Sequence, residues 1–112
     1  MNDMYKNTWN MDLRKYYNRE WSTDILDKAR ERMEKYHERI VKYITKYKTK
    51  DLIFENGAYN MNVTYVDMDK DYIMTIFLGD GFKVKIDLCD IIEDNLQMRY
   101  DRKCNSIYFI EK

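Results

Sequence analysis

The chain has 112 residues, with 20 Lys/Arg against 20 Asp/Glu and one histidine, and 45% of its residues are apolar. That balance is the composition of one folded domain and excludes wholesale disorder. No apolar run approaches the roughly 18–20 residues that a membrane-spanning helix needs. The neutral total conceals an opposition. Residues 1–50 carry 13 Lys/Arg and 8 Asp/Glu, a net of +5, and residues 51–101 carry 4 and 11, a net of −7. Residues 102–112 add Arg102, Lys103 and Lys112 against Glu111.

The N-terminus, Met1-Asn2-Asp3-Met4-Tyr5-Lys6, has no apolar stretch behind a positive start, so a secretory signal is not expected and the cytoplasm is. Trp9, Leu13, Tyr16 and Tyr17 predict a short helix over 10–19. The strongest signal follows. Leu26, Ala29, Met33, Tyr36, Ile40, Tyr43 and Tyr47 recur at steps of three and four, the stripe of a helix over about 23–48 with one face buried. Ser22, Thr23 and Asp24 are N-cap candidates. Lys42, Lys46, Lys48 and Lys50 crowd the other end, where the helix dipole favours positive charge.

Beyond Lys50 the period changes from 3.6 to 2. Leu52-Ile53-Phe54 leads into Asn56-Gly57, a strong hairpin signal. Tyr59, Met61, Val63 and Tyr65 then alternate with polar residues and are expected inward. Asp67 to Asp71 makes a polar turn, and Tyr72 to Leu78 reads as a strand apolar on nearly both faces. After the tight turn Gly79-Asp80-Gly81, residues Phe82, Val84, Ile86 and Leu88 are expected inward, with Lys83, Lys85 and Asp87 outward. Asp90 with Glu93 resembles a capping box opening a short helix through Leu96. A last strand, Ser106 to Ile110, pairs with Met98-Arg99-Tyr100 or returns to the main sheet. The expectation is a single α+β domain over 1–112. Its antiparallel sheet has four to six strands, with the long helix across one face and short helices besides. A monomer is favoured, although the three–four stripe leaves a homodimer open.

Enzyme signatures are missing. Asp67-x-Asp69-x-Asp71 opens like a calcium loop, but the sixth and twelfth positions hold Tyr72 and Leu78 where glycine and glutamate are needed. His37 has no second histidine at i+4. Asp80, Lys83, Lys85 and Asp87 are nuclease residue types, yet the lysines alternate onto an open sheet face with no cleft. Gly79-Asp80-Gly81 joins two strands and opens no helix, so it is no phosphate loop. Cys89 and Cys104 lack metal-site spacing and read as reduced thiols, with a bridge between them left open. No catalytic residue, metal or cofactor is expected.

Two charged sets remain. Arg39, Lys42, Lys46, Lys48 and Lys50 are candidate nucleic-acid contacts, with eleven tyrosines as stacking surfaces. The same lysines are also what a solvated helix end carries. Asp67, Asp69, Asp71, Asp80, Asp87, Asp90, Glu93 and Asp94 are the candidate partner-binding set. They form a negative rim suited to a cation-rich surface on another protein, such as a nucleic-acid groove. A merely solvated acidic edge fits the same residues.

The abundance of Asn, Lys, Ile, Tyr and Met is what AT-rich coding DNA produces, and fits a low-GC bacterium or its phages and mobile elements. In size, composition, acidic character and lack of a catalytic motif, the chain resembles the small phage-encoded inhibitors of bacterial defence systems, anti-CRISPR proteins among them. The resemblance carries no motif and transfers no functional residue. It implies a non-enzymatic inhibitor that occludes a basic nucleic-acid-binding site on a host protein. Two alternatives stand beside it. One is a small-ligand or nucleotide binder, a signal sponge, using Tyr and Lys between helix and sheet. The other is a nucleic-acid binder using the basic helix end.

Overall fold

A computed structural model describes residues 21–54 and 59–110, the side chains of residues 59–61 and Asp80 excepted. The predicted helix over 10–19 and the Asn56-Gly57 turn lie outside the described residues.

The long helix, α1, spans Thr23–Lys46. It starts where Ser22, in extended conformation, accepts a hydrogen bond from the Ile25 amide on its Oγ at 3.2 Å. The buried stripe is Ala29, Met33, Tyr36, Ile40 and Tyr43. It stops one step earlier than the sequence suggests, because Tyr47 lies past the last helical turn and is 43% exposed. Lys48 takes a left-handed φ of 55°, and the Thr49 amide donates back to the Tyr43 carbonyl at 3.0 Å. That turn closes the helix, the Tyr43 carbonyl accepting from both the Tyr47 cap amide at 3.2 Å and the Thr49 amide.

Six strands follow, β1 (Asp51–Phe54), β2 (Tyr59–Met68), β3 (Met74–Leu78), β4 (Lys83–Ile86), β5 (Gln97–Asp101) and β6 (Ser106–Ile110). They form one sheet in the order β4-β3-β2-β1-β6-β5. Neighbours run antiparallel except β1 and β6, which are parallel with Asp51 opposite Ser106. Both fates foreseen for the last strand are therefore realised. It pairs with β5 and also returns to the main sheet, making the expected antiparallel sheet a mixed one. A parallel pair needs a long crossover, and the chain from β2 through the short helix α2 (Leu88–Ile92) to β5 supplies it. The fold is α+β, with α1 lying on one face of the sheet and α2 beside it.

The core lies between α1 and that face. Met33, Ile40, Leu52, Met74, Ile76, Ile107 and Phe109 are each at most 1% exposed. The Tyr36 ring meets Phe109 edge-on, with centroids 6.4 Å apart. Burying one such side chain contributes about 1.5–3 kcal/mol.

Three local departures from simple alternation have physical causes. The β2–β3 register slips between Val63 and Tyr65. This bulge at Thr64, whose hydroxyl donates to the Phe77 carbonyl at 3.0 Å, turns Val66 into the core. Tyr65, expected inward, is instead 59% exposed and packs against Phe77 on the open face. Phe82 is likewise exposed where an inward ring was expected: its carbonyl accepts from the Leu78 amide at 2.8 Å, but the regular β4 pairing starts only at Lys83. Finally, β3 begins at Met74 and not at Tyr72. Tyr72 has a φ of 65° and still belongs to the preceding turn.

Candidate functional site

The two charged sets separate along α1. Its first half packs near α2 and the β2–β3 turn. Arg32 Nη2 donates to the Leu96 carbonyl at 2.5 Å, Tyr36 Oη donates to the same oxygen at 3.1 Å, and Tyr72 Oη donates to Glu34 at 3.4 Å. The C-terminal end of α1 meets the β5–β6 hairpin through Tyr100 and Asn105. The acidic side thus meets α1 around Glu34 and the basic side around Tyr43, about 14 Å apart along the helix at 1.5 Å per residue.

At the acidic end, Met68, Met74 and Ile86 are in register across β2, β3 and β4. The fold thereby gathers Asp67, Asp69, Asp71, Asp87 and Asp90 at one sheet end, with Glu93 and Asp94 just beyond α2. Three of these carboxylates have work inside the fold. Asp69 Oδ1 accepts from the amides of Asp71 at 2.8 Å and Ile73 at 3.1 Å, which shapes the turn. Asp87 and Asp90 form a reciprocal capping box on α2. Asp87 Oδ1 accepts from the Asp90 amide at 3.3 Å, and Asp90 Oδ2 accepts from the Asp87 amide at 2.8 Å. This corrects the expected Asp90–Glu93 box, since the cap lies one turn earlier. Asp67, Asp71, Glu93 and Asp94 are exposed. Asp80 does not join them. It lies in the 3-10 turn Gly79–Gly81, at the far end of β3, about 17 Å of strand away. Lys70 and Lys85 interrupt the rim, Lys85 lying across Thr75 from Asp67.

At the basic end the geometry is tighter. The rings of Tyr43 and Tyr100 stack at 4.0 Å and 11°, and Tyr47 completes an aromatic wall 6.0 Å from Tyr100. Asn105, at a left-handed φ of 53°, pins the wall. Its Oδ1 accepts from the hydroxyls of Thr49 and Tyr100, and its Nδ2 donates to the Tyr47 carbonyl at 2.9 Å. Thr49 is 1% exposed, so this network is internal structure. Arg39 is committed as well, with Nε donating to the Tyr43 hydroxyl at 3.1 Å. Lys42 and Lys46 place their ammonium groups 5.8 and 5.9 Å from the Tyr47 ring. Lys42, Tyr43, Tyr47, Tyr100, Arg102 and Asn105 line a cleft of about 560 Å³. Lys48 and Lys50 are exposed beside the helix end and are not among its lining residues. Ion pairs include Lys28–Asp24 and Arg30–Asp27, both in the first half of α1, and among the described residues neither Lys42 nor Arg102 is paired with a carboxylate.

Sequence reasoning had the lysines but missed Tyr100, Arg102 and Asn105. The missing signal was the β1–β6 pairing, which brings a hairpin some fifty residues away to the helix end. Cys89 is buried and Cys104 exposed, and no disulfide joins them. His37 is half-buried on α1. Among the described residues, no group of three or more His, Cys, Asp or Glu is placed to hold a metal ion, and no helix is long and apolar enough to cross a membrane. Comparison of the chain with protein-family models, curated proteins and solved structures returns no match.

Proposed function

We propose that the protein is a small non-enzymatic binding protein of phage or mobile-element type that acts in the cytoplasm as a monomer. Its exposed carboxylates Asp67, Asp71, Glu93 and Asp94 occupy a basic nucleic-acid-binding site on a host defence protein, in the manner of an anti-CRISPR inhibitor. The observation that supports this reading is the gathering of seven carboxylates at one end of the sheet, apart from the cleft cations Lys42 and Arg102. Four of the seven, Asp67, Asp71, Glu93 and Asp94, are exposed and can approach a cationic groove. Complementary charge then steers encounter and fixes orientation.

The test uses a variant with Asp67, Asp71, Glu93 and Asp94 all changed to lysine, which leaves the fold-bearing Asp69, Asp87 and Asp90 in place. A partner recovered from bacterial lysate with the wild-type chain is purified, and displacement of its bound nucleic acid is measured. Wild type should displace and the variant should not. Equal displacement by both sinks the mechanism. Of the two alternatives, the cleft at the basic end favours a small phosphate-bearing ligand. Nucleic-acid binding by the helix lysines would show instead as affinity falling steeply with salt.

A further inference from the structure

We propose that the cleft between the C-terminal end of α1 and the β5–β6 hairpin is a binding site for a nucleoside phosphate. This site is independent of the acidic end and does not rest on the inhibitor reading. Its volume of about 560 Å³ lies within the range of small-molecule sites, roughly 300–1,000 Å³.

The two chemical halves of such a ligand each find a match. Tyr47 offers a large ring that is 43% exposed and is backed by the fixed Tyr43–Tyr100 stack. Asn105 already holds both the Tyr47 backbone and the Tyr100 hydroxyl, so a planar base stacking on Tyr47 has chiefly to move the flexible Lys42 and Lys46 ammonium groups, 5.8 and 5.9 Å from that ring. Preorganisation of this kind lowers the cost of binding. The cations supply the other half. Lys42 and Arg102 line the same cleft from opposite elements, one on the helix and one on the hairpin. Among the described residues neither is in an ion pair, so a phosphate would displace no carboxylate. Arg presents a planar fork suited to phosphate oxygens, and Lys a mobile point charge. Lys46, beside the same ring, adds to the positive field. A solvated helix end explains the lysines alone. It does not explain Arg102 on a separate hairpin, nor a half-exposed tyrosine set between them.

Calorimetric titration of the purified chain with thymidine monophosphate, thymidine, inorganic phosphate and a short 5′-phosphorylated oligothymidylate tests the site. The monophosphate should bind at least about tenfold tighter than thymidine or phosphate alone. Stronger binding of the oligonucleotide than of the monophosphate identifies a strand end as the ligand's source, and equal or weaker binding identifies the free nucleotide. Changing Lys42→Glu with Arg102→Glu, both exposed, should abolish binding. Tyr47→Ala should weaken it by about tenfold, the scale of one lost base stack, while Tyr47→Phe keeps it. The charge-reversed acidic variant should bind as wild type does, which separates this test from that of the inhibitor. No monophosphate binding at millimolar concentration overturns the proposal, and so does binding unchanged by these substitutions.

Discussion

The two ends of α1 use charge in opposite ways. At the acidic end three of seven gathered carboxylates, Asp69, Asp87 and Asp90, accept backbone amides and are part of the fold. At the basic end Arg39 and Asn105 do the holding, and Lys42 and Arg102 are left facing a cleft. Short carboxylates terminate turns and helices well because they reach nearby amides. Among the cations of the basic end, Arg39 bonds a tyrosine hydroxyl, while Lys42 and Arg102 face the cleft. A carboxylate in a turn is thus weaker grounds for a binding site than a lysine or arginine beside an exposed ring.

The comparison breaks most completely if the element joining the ends is loosened. Ile40 is fully buried on the α1 stripe, in the C-terminal half of the helix. Ile40→Ala should cost about 2–5 kcal/mol through lost burial and the cavity left behind. Urea unfolding measures it, and a loss under 1 kcal/mol would mean that α1 does not carry the core. Next comes the basic end. Asn105→Ala strips partners from Thr49, Tyr100 and the Tyr47 carbonyl, and removes a residue suited to left-handed backbone. It should cost about 1–3 kcal/mol and weaken nucleoside-phosphate binding although Asn105 bears no charge.

Much of this architecture could be read from local pattern. The α1 stripe and the outward Lys83 and Lys85 follow from periods of 3.6 and 2, Ser22 was one of three cap candidates by residue type, and the β1–β2 pairing follows from the Asn56-Gly57 signal. What escaped was set by non-local pairing or by a single irregular residue. The Thr64 bulge inverts Tyr65, and nothing in Val63-Thr64-Tyr65-Val66 marks which residue is the extra one. The capping box was misplaced by three residues because Asp87, Asp90 and Glu93 repeat the same spacing, and only the end of β4 at Ile86 chooses between them. The aromatic wall needed Tyr100 beside Tyr43, a contact created by the parallel β1–β6 pair. The acidic set was legible as residues but not as a division between structural and free carboxylates, since that depends on which amides lie within reach.

That division yields the two smallest effects. Asp87→Ala removes the N-cap of α2 and should destabilise by about 1 kcal/mol, seen as a lower unfolding midpoint. Asp71→Ala should stay within about 0.5 kcal/mol, because its side chain is exposed and the turn is shaped by Asp69. The pair is informative as a difference. Equal losses would mean that the carboxylates at this end act through summed charge and not through individual hydrogen bonds. Repeating both measurements in high salt then separates the causes, because screening weakens a diffuse field and leaves a carboxylate–amide contact of 3.3 Å or less largely in place.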